Sequence, residues 1–157
     1  MVMMVWFTLL LNSVWAAIPA VGFGMIFNVP RSTLPLCAVG GAVTYGFREV
    51  LLFNHLSIEL ATFIATTAIG IIGVFWSRRY VMPRPVYTVP SIIPMIPGTY
   101  AYEMMISLVT MNSDGVTDAL LSSFIQNGLH AISILFAIAF GLVLPSMYYT
   151  KRKKPII

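Results

Sequence analysis

Apolar runs about as long as a bilayer is thick recur along this chain, and no other feature narrows its fold as much. They cover residues 2–28, 34–53, 58–77, 86–111 and 120–149. A transmembrane helix needs roughly 20 mainly apolar residues, and each run reaches that length. The connections, 29–33, 54–57, 78–85 and 112–119, are too short to fold as domains. The expectation is an all-α polytopic membrane protein of about five spans, a single transmembrane domain over residues 1–157. Composition excludes the main alternative: with 59% hydrophobic and 9% charged residues and a mean hydropathy of +0.90, no soluble catalytic core remains.

The first run raises the question of a signal peptide, since Ala16 and Ala17 offer small residues for cleavage. Its start carries no Lys or Arg, and the apolar pattern continues through Val21, Phe23, Met25 and Phe27. The run is therefore expected to be a retained span. The single cysteine, Cys37, lies in an apolar stretch and is expected to pack as a small hydrophobe.

The formal charge of +4 does not indicate a nucleic-acid partner, because the basic residues sit between apolar runs and not along one solvated face. Sorted by alternate sides of a bilayer, Arg31, Arg78, Arg79, Arg84, Lys151, Arg152, Lys153 and Lys154 share one side, eight of nine basic residues. The other side holds Asp114 and Asp118, with Glu59 nearby. The positive-inside rule then predicts an outside N-terminus and a cytoplasmic C-terminus. Tyr148 and Tyr149 precede the terminal basic run as an interfacial aromatic pair would. Small residues at helical spacing, Ala42 and Gly46, Ala61 and Ala65, Thr66 and Gly70, Ala137 and Gly141, predict close helix packing within the chain, with a partner, or in a higher oligomer.

Ionisable side chains inside hydrocarbon are costly, so Arg48, Glu49, Glu59, Glu103 and His130 carry the functional question. Arg48 falls about 7 Å inside the outer end of its span at the helical rise. Interfacial anchoring and a role toward substrate or an ion pair both fit there. Glu59 opens the third helix, where the helix dipole favours a carboxylate. Glu103 lies about 12 Å from the end of the fourth run, so a buried partner is expected, for structural pairing or proton carriage. His130 suits hydrogen-bonded packing and His55 a loop.

The segment Val89-Pro90-Ser91-Ile92-Ile93-Pro94-Met95-Ile96-Pro97-Gly98-Thr99-Tyr100-Ala101-Tyr102 departs most from a simple span. Pro90, Pro94 and Pro97 lack the N–H groups that would bond the carbonyls of Val86, Pro90 and Ile93, and Gly98 adds freedom. Lipid cannot satisfy those carbonyls, so the fourth helix is expected to break in a site buried by protein or open to a wet cavity. Such breaks build transporter sites, with Thr99, Tyr100 and Tyr102 as nearby hydroxyls. The competing reading is a kinked packing helix, with Pro19 as a milder example. No His/Cys cluster, nucleophile elbow or phosphate loop is present, so neither an enzyme nor a bound metal or cofactor is expected.

Several stretches together resemble the threonine/serine exporter family, and within it the small membrane subunits of two-component succinate exporters. They are Ala16-Ala17-Ile18-Pro19-Ala20-Val21-Gly22-Phe23, Phe27-Asn28-Val29-Pro30, Ile58-Glu59 with Thr62-Phe63, Ile71 and Gly73 with Trp76-Ser77-Arg78, and Ile93-Pro94-Met95 with Pro97-Gly98 and Tyr102. The resemblance implies a bacterial inner-membrane exporter of small carboxylates, succinate first, acting with a larger membrane subunit that carries a cytoplasmic region. A threonine/serine exporter subunit and a non-transporting assembly subunit are the alternatives. Two five-span halves entering from opposite sides would form inverted repeats. The residues carried over are Arg48, Glu59, Pro97, Gly98 and Tyr102. Pro94 and Thr99 join them through the break itself, and Glu49 and Glu103 stand outside the family pattern.

Overall fold

The computed structural model describes residues 2–152. The helices are α1 (Val2–Ile26), α2 (Leu34–Phe53), α3 (Ile58–Tyr80), α4 (Pro85–Ile92), α5 (Gly98–Asp114) and α6 (Asp118–Arg152), with 3-10 turns at Arg31–Thr33 and Ile93–Met95. Helix accounts for 88% of the structure, and no strand occurs among the described residues. Four helices are long and apolar enough to cross a membrane, and five if α4 and α5 form one broken span. The all-α class and the broken fourth helix are thus as the sequence predicts. Of the C-terminal basic run, Lys151 and Arg152 end α6, while Lys153 and Lys154 lie outside the described residues.

Local chemistry explains the ends of α3. Ser57 caps its start by accepting from the Leu60 amide, and Glu59 sits in the first turn. At the other end Arg78 and Arg79 complement the dipole, and Val81 adopts a left-handed conformation at φ 53°. A β-branched residue there is unusual. It is held by a reciprocal pair: Ser77 Oγ donates to the Met82 carbonyl at 2.6 Å, and the Met82 amide donates to the Ser77 carbonyl at 3.3 Å. Pro83, Arg84 and Pro85 then start α4 with a proline in its first turn.

The chain divides into two compact units. The first comprises everything up to Met95 together with the chain from Ala137 onward. Small residues let its helices meet. Gly41 of α2 faces Ala20 and the Ala16 carbonyl of α1, Gly40 faces Ser91 of α4, and Gly141 of α6 faces Thr66 and the Phe63 carbonyl of α3. Thr44, Thr62 and Thr66 turn their hydroxyls back to carbonyls of their own helices, at 2.6, 2.6 and 2.8 Å, so these buried groups are satisfied without water.

The second unit, Ile96–Phe136, is a hairpin of α5 and the first part of α6 turning through Gly115 at φ 93°. Its seam is short-ranged and specific. Ser107 Oγ donates to Ser123 Oγ at 3.2 Å, Gly128 leaves room for Met104, and the Tyr100 and His130 rings lie 5.1 Å apart.

Candidate functional site

The prolines of the fourth span create a definite list of carbonyls that α4 cannot serve, and the structure shows what serves two of them, those of Val86 and Pro90. Pro90 has no N–H for the Val86 carbonyl, and Cys37 Sγ of α2 points at that oxygen from 3.5 Å. The Pro90 carbonyl accepts from the Ile93 amide, which tightens the helix into the 3-10 turn. Beyond it the chain bends at Ile96 and Pro97, and the Gly98 amide turns back to the Ile96 carbonyl at 2.8 Å. The Met95 carbonyl, left over by this bend, accepts from Arg48 Nη1 at 3.2 Å. One side chain of α2, Cys37, therefore stands in for a donor that a proline removes, and another, Arg48, serves the Met95 carbonyl that ends the 3-10 turn.

Of the two roles the sequence left open for Arg48, its burial within the chain bears on the interfacial one: the residue is only 9% exposed. Its Cζ lies 4.9 Å from the centre of the Tyr45 ring one turn earlier on α2. Nε is buried and has no hydrogen-bond partner among the described residues. A buried, permanently charged group with an unused donor is costly unless an acceptor arrives. Beside it is a cleft of about 320 Å³ lined by Asn12, Trp15, Ala16 and Pro19 of α1, Tyr45 of α2, and Pro94. Arg48 is not part of that lining; it adjoins the cleft through the Tyr45 ring and through Met95, the residue after Pro94, which makes these surroundings the candidate for holding an anion.

The other sequence-selected residues are placed differently. Glu49 is half-buried on α2, and Glu59 is half-buried in the first turn of α3. Pro97 is buried at the bend. Gly98 is exposed, with open space where a side chain would project. Thr99, Tyr102 and Glu103 are exposed on α5. The expectation that Glu103 is enclosed with a partner is not met within this chain, because the seam of the hairpin runs along Tyr100, Met104 and Ser107 and leaves Glu103 beside it.

Sequence reasoning missed two groups of residues. Asn12, Trp15 and Tyr45 line the Arg48 cleft; an asparagine in a long apolar run and a tyrosine three residues before a membrane arginine were the available signals. Arg84, read only as a topology charge, is half-buried and lines a second cleft of about 510 Å³ with Ser77, Thr88, Leu142 and Ser146. Its placement between Pro83 and Pro85, in a turn with little freedom, was the signal there.

Residues 12–148 match the family described as threonine/serine exporter, ThrE. A Haemophilus influenzae protein described as uncharacterized is 44% identical over 149 residues, which is 95% of this chain and 50% of that protein. The chain thus spans about half the length of the curated relative it matches. No solved structure matches it.

Proposed function

Since the chain belongs to the threonine/serine exporter family, we propose that it is the membrane subunit of a secondary exporter of small carboxylates, succinate first, acting with a larger partner subunit. The observation that carries this reading is Arg48, buried at the break of the fourth span with an unused Nε donor, its guanidinium over the Tyr45 ring that lines a cleft with Asn12 and Pro94. A carboxylate supplies the missing acceptor, and a guanidinium binds it through two parallel hydrogen bonds. Glu59, Pro97, Gly98, Thr99 and Tyr102 belong to the proposed pathway. Glu49 and Glu103 are its proposed ion-pair or proton-carrying groups.

Threonine or serine is the second reading, favoured by the cleft itself. Trp15 contributes a ring to its lining and Asn12 an amide, which suit the ammonium of an amino acid. The partner is supported by the length of the Haemophilus influenzae relative, half of which lies beyond the matched region. The proposed setting is the bacterial inner membrane with the C-terminus in the cytoplasm; a reporter fused there that is active only in the periplasm would reverse the orientation.

The test is efflux of labelled succinate and labelled threonine from cells carrying the chain with and without the partner, repeated with Arg48→Lys. Lys keeps the charge and loses the planar fork. The expected outcome is partner-dependent succinate efflux, reduced at least about tenfold in the Lys variant at equal membrane abundance. Threonine efflux alone would establish the second reading, and unchanged efflux in Arg48→Lys would leave Arg48 a purely structural donor to Met95.

A further inference from the structure

The α5–α6 hairpin has two unlike faces. With 3.6 residues per turn, positions on either side of a packed seam separate into opposite sides of the pair. The seam residues are Tyr100, Met104 and Ser107 on α5 and Ser123 and Ala131 on α6. Because the helices run antiparallel, Thr99 and Glu103 of α5 fall on the same side as Gln126, His130 and Ser133 of α6. The opposite side carries Leu108 of α5 and Leu121, Ile125 and Ile132 of α6. All nine are exposed. The apolar side is suited to lipid. The polar side is not, since a carboxylate and an amide facing hydrocarbon are both strongly disfavoured.

We propose that the polar face of the hairpin is where membrane helices of a second polypeptide dock, with a basic or amide side chain placed against Glu103. Charge selects this occupant. The hairpin unit contains Glu103, Asp114 and Asp118 and neither Lys nor Arg, so the complementary cation comes from elsewhere. A second copy joined face to face would set one Glu103 face against another, acid toward acid. The Haemophilus influenzae relative carries the region matched here in only half of its length, which leaves a companion segment in the same chain. The inference rests on the reading of the chain as an exporter subunit with a partner; it adds the surface and the chemistry of the contact.

The test uses the full chain in its native membrane, with a photo-crosslinking amino acid at position 126 or 133 on the polar face and at position 125 or 132 on the apolar face. The expected result is an adduct with one other membrane protein from the polar positions, at least fivefold above the apolar positions. The crosslinked peptide should fall in a span containing Lys, Arg, Asn or Gln. Glu103→Leu should abolish the adduct and Glu103→Gln should retain it, with both variants at normal abundance, since this exposed position tolerates either side chain. Three results would overturn the proposal: equal adducts from both faces; an adduct composed of two copies of this chain; or no adduct together with labelling of a Gln126→Cys variant by a water-soluble thiol reagent, which would make the face an aqueous path. Solute efflux from the same cells separates this proposal from the exporter reading. An adduct without efflux keeps the docking face and removes the exporter function, and efflux without an adduct does the reverse.

Discussion

The two units treat polar groups in opposite ways. In the first, most departures from ordinary helix geometry are met from within: Cys37 serves Val86, Arg48 serves Met95, and buried threonines bond their own carbonyls. In the hairpin, hydrogen bonds and ring contacts occupy the seam, while Glu103 and Gln126 face outward. The hairpin's α5 is the least apolar of the six helices, so composition already sets it apart in part. The larger difference lies in where the polar residues fall around each helix. A unit that satisfies its own polar groups can meet lipid on every remaining surface, and a unit that displays them on one face requires something other than lipid there.

The largest expected effect comes from removing the close packing that makes the first unit self-sufficient. A Cβ at Gly141 would meet the Phe63 carbonyl at 2.9 Å as well as the Thr66 side chain. Backbone cannot yield as a flexible side chain does, so α3 and α6 must separate. Gly141→Val is expected to cost about 3 kcal/mol, the upper part of the overpacking range, and to lose most of the folded protein in a detergent unfolding assay. Wild-type stability in that variant would mean that the α3–α6 contact is not tight.

Next in size is the donor at the helix break. Arg48→Met leaves the Met95 carbonyl without its partner, and an orphaned buried acceptor costs about 1–3 kcal/mol. The same unfolding assay should show a loss of about 2 kcal/mol, smaller than for Gly141→Val. An unchanged transition would show that the carbonyl finds another donor, and the first unit would then resemble the hairpin in depending on outside groups.

The opposite sign is expected at Gly98, the first residue of α5. Open space surrounds the position where its Cβ would stand, and its φ is not in the left-handed region. Gly98→Ala should therefore raise stability by about 0.4–1 kcal/mol by narrowing the unfolded ensemble. A destabilised Ala variant would reveal a contact at this point of the hairpin that comes from a partner or solute.

The helices were legible because lipid demands long apolar runs, and the break was legible because three prolines in one run remove identifiable donors. The side chains that serve the carbonyls around the break were not. Cys37 acts on a residue 49 positions away and Arg48 on one 47 positions away, and no local pattern encodes such pairings. Depth left Arg48 open to interfacial anchoring or to a role toward substrate or an ion pair; the fold adds its bond to the Met95 carbonyl. The unlike faces of the hairpin were present in the spacing of Gln126, His130 and Ser133, but assigning them to one side required the seam, which only the fold supplies.

The smallest effect tests a place where, as at Arg48 Nε, the first unit leaves a buried polar group unmet. Tyr87 of α4 is fully buried, with its ring 5.9 Å from that of Trp76 and 6.3 Å from that of Tyr80. Its hydroxyl has no hydrogen-bond partner among the described residues. An unsatisfied buried hydroxyl opposes folding, whereas the ring contributes packing that phenylalanine retains in full. Removing the oxygen should therefore leave stability unchanged or raise it by up to about 1 kcal/mol. A loss of 1 kcal/mol or more in Tyr87→Phe would show instead that the hydroxyl makes a hydrogen bond in the membrane, through water or a partner chain. The first unit, like the hairpin, would then be completed from outside, and the contrast between the two units would narrow to the number of groups each leaves unmet.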